Sequence, residues 1–132
     1  MDLNDPGVSV LLTGDDAIEQ LNERWRGIDE PTDVLSFPSH SPAEFPDDPD
    51  HLGDIAINIP CGERLVASQD HHRRVASQLG VDPDEITWTL HDELLFLFVH
   101  GLLHLVGYDH DRPDRQRKMK DMERRLWELL TT

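Results

Sequence analysis

Three histidines of this sequence, His100, His104 and His110, have side chains and a spacing, H-x3-H-x5-H, suited to binding one metal ion. Residues four apart on an α-helix point in directions that differ by about 40°, so His100 and His104 can direct imidazole nitrogens at the same ion. On a continued helix His110 would point away, but Gly107 is placed to end the helix and turn the chain back. Three imidazoles leave a fourth position for water, which is typical of catalytic zinc.

The alternative interpretation is that these histidines belong to the core and have separate hydrogen-bond partners. Three histidines in a leucine-rich helix and the turn after it would each need a polar partner to offset the cost of desolvation. One shared ion satisfies all three rings at once. The pattern therefore favours a metal centre.

The same spacing overlays the HExxHxxGxxH signature of the metzincin proteases, with Gly101 in the place of the glutamate. In those proteases the glutamate accepts a proton from the attacking water, so the usual route of peptide hydrolysis lacks its general base here. Asp92, Glu93 or Asp109 are the acidic residues that could replace it. Hydrolysis of a peptide, or of another substrate, remains as an alternative function.

The composition limits the classes of protein to be considered. A chain of 132 residues is the size of one ordinary domain, so residues 1–132 are predicted to form a single domain. The net charge of −15 excludes a generally basic surface for binding nucleic acid. The single cysteine, Cys61, cannot form an internal disulfide, and we expect it to be a small buried residue without a chemical role. No apolar N-terminal stretch suits a signal peptide or membrane anchor, which predicts a cytoplasmic protein without a membrane partner.

Alternation and turn residues predict three strands and the segments that join them. The first helix is expected to begin at a cap formed by Asp15 or Asp16 and to end at Gly27. The predicted strands are residues 8–12, residues 32–37, which Pro38 would stop, and residues 52–59, whose isoleucines Ile55, Ile57 and Ile59 would form one buried face. Residues 38–51, rich in proline and aspartate, are predicted to form an exposed acidic loop.

Helical periodicity predicts the remaining elements. A helix is expected over residues 62–79 and a more apolar one over residues 84–106, interrupted near residues 87–89. Asp111 can cap a terminal helix with Pro113 in its first turn and an apolar stripe of Met119, Met122, Leu126 and Leu129. The predicted fold is α+β or α/β, a small mixed sheet packed by four to five helices, with the metal site at the end of a buried helix.

Three blocks of this sequence resemble the YbeY-type endoribonuclease family, the bacterial ribosomal RNA maturation factors. HGLLHLVGYDH at residues 100–110 matches the hallmark HGxLHLxGYDH at every specified position. Leu21-Asn22, Arg26 and PTDVLSFP at residues 31–38 resemble a second block, and Gly53-Asp54-Ile55 a third. The blocks occur in the order of the family and span most of the chain.

The resemblance implies a single-strand-specific, zinc-dependent endoribonuclease that acts in maturation of the 3′ end of small-subunit ribosomal RNA and in ribosome quality control. It implies that His100, His104 and His110 bind one Zn²⁺ and that Arg26 is a catalytic residue. Without the resemblance, Arg26 is a cation that interacts favourably with the dipole at a helix C-terminus. The implied partners are ribosomal RNA and the ribosome or its proteins.

The acidic charge conflicts with an RNA substrate, because binding to phosphate depends on Lys and Arg. We resolve the conflict by predicting a local basic cleft at Arg26 and the zinc ion, extended by Arg112, Arg115 or Arg117 of a C-terminal segment that is less acidic than the rest of the chain. Partner proteins are the other predicted source of affinity. A solvated C-terminal helix with ion pairs four residues apart is the favoured interpretation of that segment. A non-catalytic, zinc-stabilised ribosome assembly factor remains as an alternative function.

Some polar residues near the motifs have two interpretations that the sequence leaves open. Asp109 is either a carboxylate that orients an imidazole or a group that hydrogen-bonds the end of the helix. Thr32, Asp33 and Ser36 either line the cleft or stabilise a turn and the end of a strand.

Overall fold

A three-stranded mixed sheet forms the centre of the molecule. The computed structural model describes residues 7–38 and 51–131. Within them the strands are β1 (Gly7–Thr13), β2 (Val34–Pro38) and β3 (His51–Asn58), in the order β1-β3-β2. Strand β1 is parallel to β3, whereas β2 is antiparallel to it. The prediction of a small mixed sheet is confirmed.

Helices cover both faces of this sheet. In the described ranges the α-helices are α1 (Asp15–Arg26), α2 (Ile59–Val66), α3 (Gln69–Leu79), α4 (Leu90–Leu105) and α5 (Pro113–Thr131), with a one-turn 3-10 helix at Pro83–Glu85 before α4. The fold is therefore α+β, as predicted. None of these helices is both long enough and apolar enough to span a lipid bilayer.

The central strand β3 is buried on both faces, so the prediction of one buried face is wrong. Ile55 and Ile57 pack on the side of α4 against Leu97 and Leu105. On the opposite side, Ala56 packs against two residues of a second cluster, Ile18 of α1 and Leu35 of β2. Both faces are buried from Ile55 to Asn58, where helices pack above and below the strand, whereas Asp54 nearer its start is exposed.

The end of β3 also differs from the prediction. Ile59 begins α2 instead of continuing the strand, because the side chain of Asn58 accepts a hydrogen bond from the backbone N–H of Cys61 and caps the helix. Cys61 is half-buried. Most of the acidic loop predicted for residues 38–51, residues 39–50, lies outside the described residues.

Two predictions about helix ends are corrected. The cap of α1 is Gly14, without a side-chain hydrogen bond, whereas Asp15 pairs with Arg64 at 2.8 Å. Hydrogen bonds from Arg64 and Asn58 lower the pKa of Asp15 to about 2. The helix predicted over residues 62–79 is divided into α2 and α3, because Ser68 caps a new helix by accepting from the backbone N–H of His71.

The break predicted near residues 87–89 is confirmed. There Thr89 and Asp92 form a capping box, in which each side chain accepts a hydrogen bond from the backbone N–H of the other residue, and α4 begins at Leu90. In α5, Met119 packs against Val99 and Leu103 of α4. Leu129 is 73% exposed, so the predicted apolar stripe ends before it.

Gly101 lets α4 approach the sheet closely. The hydroxyl of Ser36 on β2 donates a hydrogen bond of 2.8 Å to the carbonyl oxygen of Gly101. A Cβ atom at this position would lie 2.9 Å from Cγ2 of Ile55 and 3.1 Å from Oγ of Ser36. The position that holds glutamate in the metzincin signature therefore faces strands here and has no room for a side chain.

Replacing Gly101 with alanine is expected to lower the free energy of unfolding by about 1–3 kcal/mol, because the buried side chain of Ile55 or α4 itself must shift to admit the methyl group. Chemical denaturation followed by circular dichroism measures the change. Gly62→Ala is the matched control, since its Cβ would lie 3.4 Å from the nearest atom, at ordinary contact distance, inside helix α2. Equal stability of the Gly101 variant and the control would contradict the close approach of α4 to the sheet.

Candidate metal centre

The three histidines of the motif come together at the C-terminal end of α4. His100 and His104 lie on its last turns, and the helix ends at Leu105. Gly107 then adopts a φ of 102°, in the region that favours glycine, and the chain turns back. One ligand nitrogen from each of His100, His104 and His110 lies within 4.8 Å of the other two. The turn at Gly107 thus brings His110 close to the other two histidines, as predicted.

The spacing of two of the rings, those of His100 and His104, fits a tetrahedral metal ion. Nε2 of His100 lies 3.2 Å from Nε2 of His104. Two nitrogens bound to one tetrahedral zinc ion at its usual bond length lie about 3.3 Å apart. Burial, followed by the nearby His100 and His110, lowers the pKa of His104 below its usual value of 6.5. A lowered pKa keeps the ring neutral near pH 7, which is the form that binds a metal.

A buried glutamate on α5 orients one of the rings. Oε1 of Glu123 lies 2.8 Å from Nδ1 of His100, and Glu123 is only 2% exposed. A carboxylate accepts hydrogen bonds, so Nδ1 of His100 donates and Nε2 presents its lone pair to the site. Gln78 of α3 donates to the second oxygen of Glu123. This carboxylate therefore holds His100 in the tautomer that binds a metal.

Glu123 was not among the site residues predicted from the sequence. One signal was available, because Glu123 follows Met119 by four residues and so lies on the apolar face of α5. Asp109 was the carboxylate predicted to orient an imidazole or to hydrogen-bond the end of the helix. Oδ1 of Asp109 accepts a hydrogen bond of 2.7 Å from the backbone N–H of His110 and lies 3.6 Å from Nδ1 of the same residue. Its closer contact is with the backbone of the turn.

Arg26 shares a cleft with the histidines. The cleft has a volume of about 460 Å³, and Thr32, Asp33 and Ser36 also line it. Arg26 is the last residue of α1, and its guanidinium donates a long hydrogen bond of 3.5 Å to Oδ1 of Asn22. The fold thus places a cation beside the three imidazoles.

The three cleft residues Thr32, Asp33 and Ser36 also have structural contacts. Asp33 Oδ1 accepts from the N–H of Val34 at 2.8 Å, where β2 begins. The hydroxyl of Ser36 donates a hydrogen bond to the carbonyl oxygen of Gly101 on α4. Both of the interpretations that the sequence left open therefore apply to this group of residues.

The arginines of α5 and the turn before it do not contribute to this cleft. Arg112, Arg115 and Arg117 are absent from the residues that line it. Instead, Arg112 lies 3.9 Å from Asp114, and Arg115 lies 3.3 Å from Asp111. The prediction of a basic cleft extended by these arginines is wrong. The prediction of ion pairs four residues apart is confirmed by Arg115 with Asp111 and, within α5, by Arg125 with Asp121.

The acidic residues considered as substitutes for the missing glutamate have other contacts. Asp92 belongs to the capping box of α4. Glu93 is fully buried, and its Oε2 lies 2.7 Å from both Nε2 of His71 and Nε1 of Trp88. Glu93, His100 and His110 are among the residues that line a cavity of about 220 Å³. Glu93 is therefore held by His71 and Trp88 at a cavity that it shares with two of the histidines.

Comparison with known proteins agrees with this site. The sequence model of the Endoribonuclease YbeY family matches residues 2–131. An Endoribonuclease YbeY from Sulfurihydrogenibium sp. is 35% identical, over 99% of this chain and 74% of the relative. One from Thermus thermophilus is 38% identical, over 96% of this chain and 78% of the relative.

A further relative, an Endoribonuclease YbeY from Rhodopseudomonas palustris, is 41% identical, over 95% of this chain and 66% of the relative. The chain thus spans about two thirds to four fifths of the length of these relatives. The family model covers nearly the whole chain, and these matches carry the same name. This chain therefore belongs to the Endoribonuclease YbeY family.

Proposed function

We propose that this protein is a zinc-dependent endoribonuclease that cleaves single-stranded RNA, with residues 1–132 acting as one domain. The observation that carries the proposal is the cleft in which three convergent imidazoles lie beside the guanidinium of Arg26. Membership of the Endoribonuclease YbeY family supports the reaction type. It does not favour the two alternatives, a peptide hydrolase and a non-catalytic assembly factor.

His100, His104 and His110 would hold the ion through one nitrogen each. When bound, zinc supplies Lewis acidity towards a phosphoryl oxygen or water. Glu123 keeps Nδ1 of His100 protonated, so that Nε2 stays directed into the cleft. The lowered pKa of His104 reduces competition from protons at neutral pH.

Arg26 stabilises the negative charge that accumulates on the phosphoryl oxygens in the transition state. A guanidinium can donate two parallel hydrogen bonds to a phosphoryl group, which positions the group as well as neutralising it. Only the weak contact with Asn22 holds Arg26 among the described residues, so its donors are available to a substrate. The reaction needs no nucleophilic side chain.

The proposed substrate is ribosomal RNA, and the proposed partners are the ribosome or its proteins, in the cytoplasm. The family name of the relatives supports an RNA substrate. Maturation of the 3′ end of small-subunit ribosomal RNA is the proposed role. The net charge of −15 predicts that a partner contributes to binding, because a protein this acidic repels phosphate outside the cleft.

Arg26→Ala is expected to lower kcat for cleavage of single-stranded RNA by about 10²-fold with zinc retained, because one donor to the developing charge is lost. Steady-state cleavage of a labelled oligonucleotide and metal analysis of the same sample measure both effects. Arg73→Ala is the control, because it also removes one positive charge, from an exposed side chain on α3 outside the cleft, and it should cleave normally.

Two results would contradict this role of Arg26. If the Arg26→Ala protein loses zinc, the residue acts on the metal site instead of the substrate. If the folded, zinc-bound variant supports normal ribosomal RNA processing in cells, a scaffold that recruits other nucleases is the better description.

The peptide alternative is tested directly. Incubating the zinc-loaded protein with single-stranded RNA and with an unfolded protein should give cleavage of the RNA alone. Cleavage of the unfolded protein, with the RNA left intact, would replace the proposed function with that of a peptide hydrolase.

A further inference from the structure

Trp25, next to the proposed catalytic arginine, is exposed to an unusual degree for an indole. It is 62% exposed at the end of α1, whereas Trp88 and Trp127 are partly buried and pack against one another with ring centroids 5.1 Å apart. Large aromatic side chains are normally buried, and exposed ones are common where a protein binds a partner. The exposure of Trp25 therefore needs an explanation.

The indole of Trp25 is held in position. The ring of Phe37 on β2 contacts it edge to face, with centroids 6.0 Å apart and planes inclined at 63°. The guanidinium of Arg24 lies 5.6 Å from the centre of the indole. An exposed aromatic ring that is ordered by a second ring and has a cation beside it can stack with the planar ring of a ligand.

The indole lines an apolar groove beside the sheet. The groove has a volume of about 600 Å³, and its apolar lining includes Val10, Leu11 and Leu21. This volume lies within the range of sites that bind small organic molecules. The groove is thus wide enough for a planar ring to enter and stack.

The groove adjoins the metal cleft. Arg26, Ser36 and Pro38 line both of them. A strand of RNA with its phosphate at Arg26 would therefore carry the neighbouring base past these residues towards Trp25. The two cations of this region, Arg24 and Arg26, lie on either side of Trp25 in the sequence.

We infer that the groove at Trp25 and Phe37 binds an unpaired nucleobase of the RNA, next to the nucleotide whose phosphate lies at the metal centre. This inference rests on the proposed function and adds a binding subsite to it. Stacking on an aromatic ring does not depend on net charge, so it supplies affinity that a protein of charge −15 cannot obtain from phosphate contacts alone. A base must also leave a duplex in order to stack, which explains selection of single strands.

The first experiment compares steady-state cleavage of a single-stranded RNA hexamer by the wild type and by variants at Trp25. Trp25→Ala is expected to raise KM by about tenfold with kcat nearly unchanged, and Trp25→Phe, which keeps a stacking ring, should restore most of the affinity. Leu129→Ala removes an even more exposed apolar side chain from α5 and should leave KM unchanged. A KM for Trp25→Ala equal to that of the wild type would overturn the subsite and leave the proposed function intact.

The second experiment measures binding without cleavage. Adenosine 5′-monophosphate should quench tryptophan fluorescence saturably, and Trp25→Phe should lose most of that quenching, because the other two indoles are packed against each other. Ribose 5-phosphate, which has the phosphate but no base, should not quench. Equal quenching by both compounds, or none by the nucleotide at about 10 mM, would overturn base recognition. Because this titration needs no turnover, it decides the subsite even if the protein cleaves no RNA.

Discussion

Replacing His104 with alanine is expected to abolish stoichiometric zinc binding and to lower RNA cleavage by at least about 10³-fold. The two remaining histidines, His100 and His110, cannot hold a zinc ion that normally needs three protein ligands in a catalytic site. The change removes a partly buried ring on the last turn of α4, where no other described residue supplies a third nitrogen. Metal analysis of the purified protein and steady-state cleavage measure the two effects.

His91→Ala is the matched control for this prediction. His91 lies on the same helix and is the same residue type, but it is exposed at the start of α4 and outside the histidine cluster. The control should keep one zinc ion for each chain and full activity. Full RNA cleavage by a zinc-free His104→Ala protein would end the metal-dependent mechanism. Loss of activity with zinc still bound would assign His104 a role other than that of a ligand.

Replacing Glu123 with alanine is expected to weaken zinc binding by about 10- to 100-fold, because His100 loses the acceptor that fixes its tautomer and orientation. The change also leaves Nδ1 of His100 and the amide of Gln78 without their buried acceptor. We expect the free energy of unfolding to fall by about 1–3 kcal/mol. Titration with a competing chelator measures affinity, and denaturation of the metal-free protein measures stability.

The two effects of the Glu123 substitution can be separated. Glu123→Gln keeps an acceptor for Nδ1 of His100 and is expected to retain more zinc affinity than Glu123→Ala, although its amide group faces that of Gln78. Glu128→Ala, an exposed position on the same helix, is the control for removal of a carboxylate from α5. If Glu123→Ala is destabilised but binds zinc as tightly as the wild type, Glu123 holds α5 against α4 and does not position the ligand.

Local sequence patterns accounted for much of the metal centre. The spacing of His100 and His104 is set by the periodicity of the helix, and Gly107 provides the turn towards His110. Each of these relationships lies within a few residues of chain, so no tertiary contact is needed to derive it. The approximate positions of the strands and the break before α4 were predictable for the same reason. The strand ends were not, since β2 begins at Val34 and includes Pro38, which was expected to stop it.

The sequence was less informative wherever a buried polar group or a strand depended on a distant element. Both faces of β3 are covered because α1 and α4 pack on opposite sides of it, and alternation along one strand does not report this. The predicted contribution of the C-terminal arginines failed because Arg112 and Arg115 pair with aspartates close to them in the sequence. Net charge does not show which cations are already paired.

By itself the sequence determined the three-histidine motif, the fold class and the family resemblance. Only the tertiary structure decided which groups share the cleft. Glu123 reaches His100 because α5 packs on α4, and Arg26 reaches the same cleft because α1 ends beside it. Helix geometry relates residues a few positions apart, whereas the packing of apolar faces brings together residues that are distant in the chain.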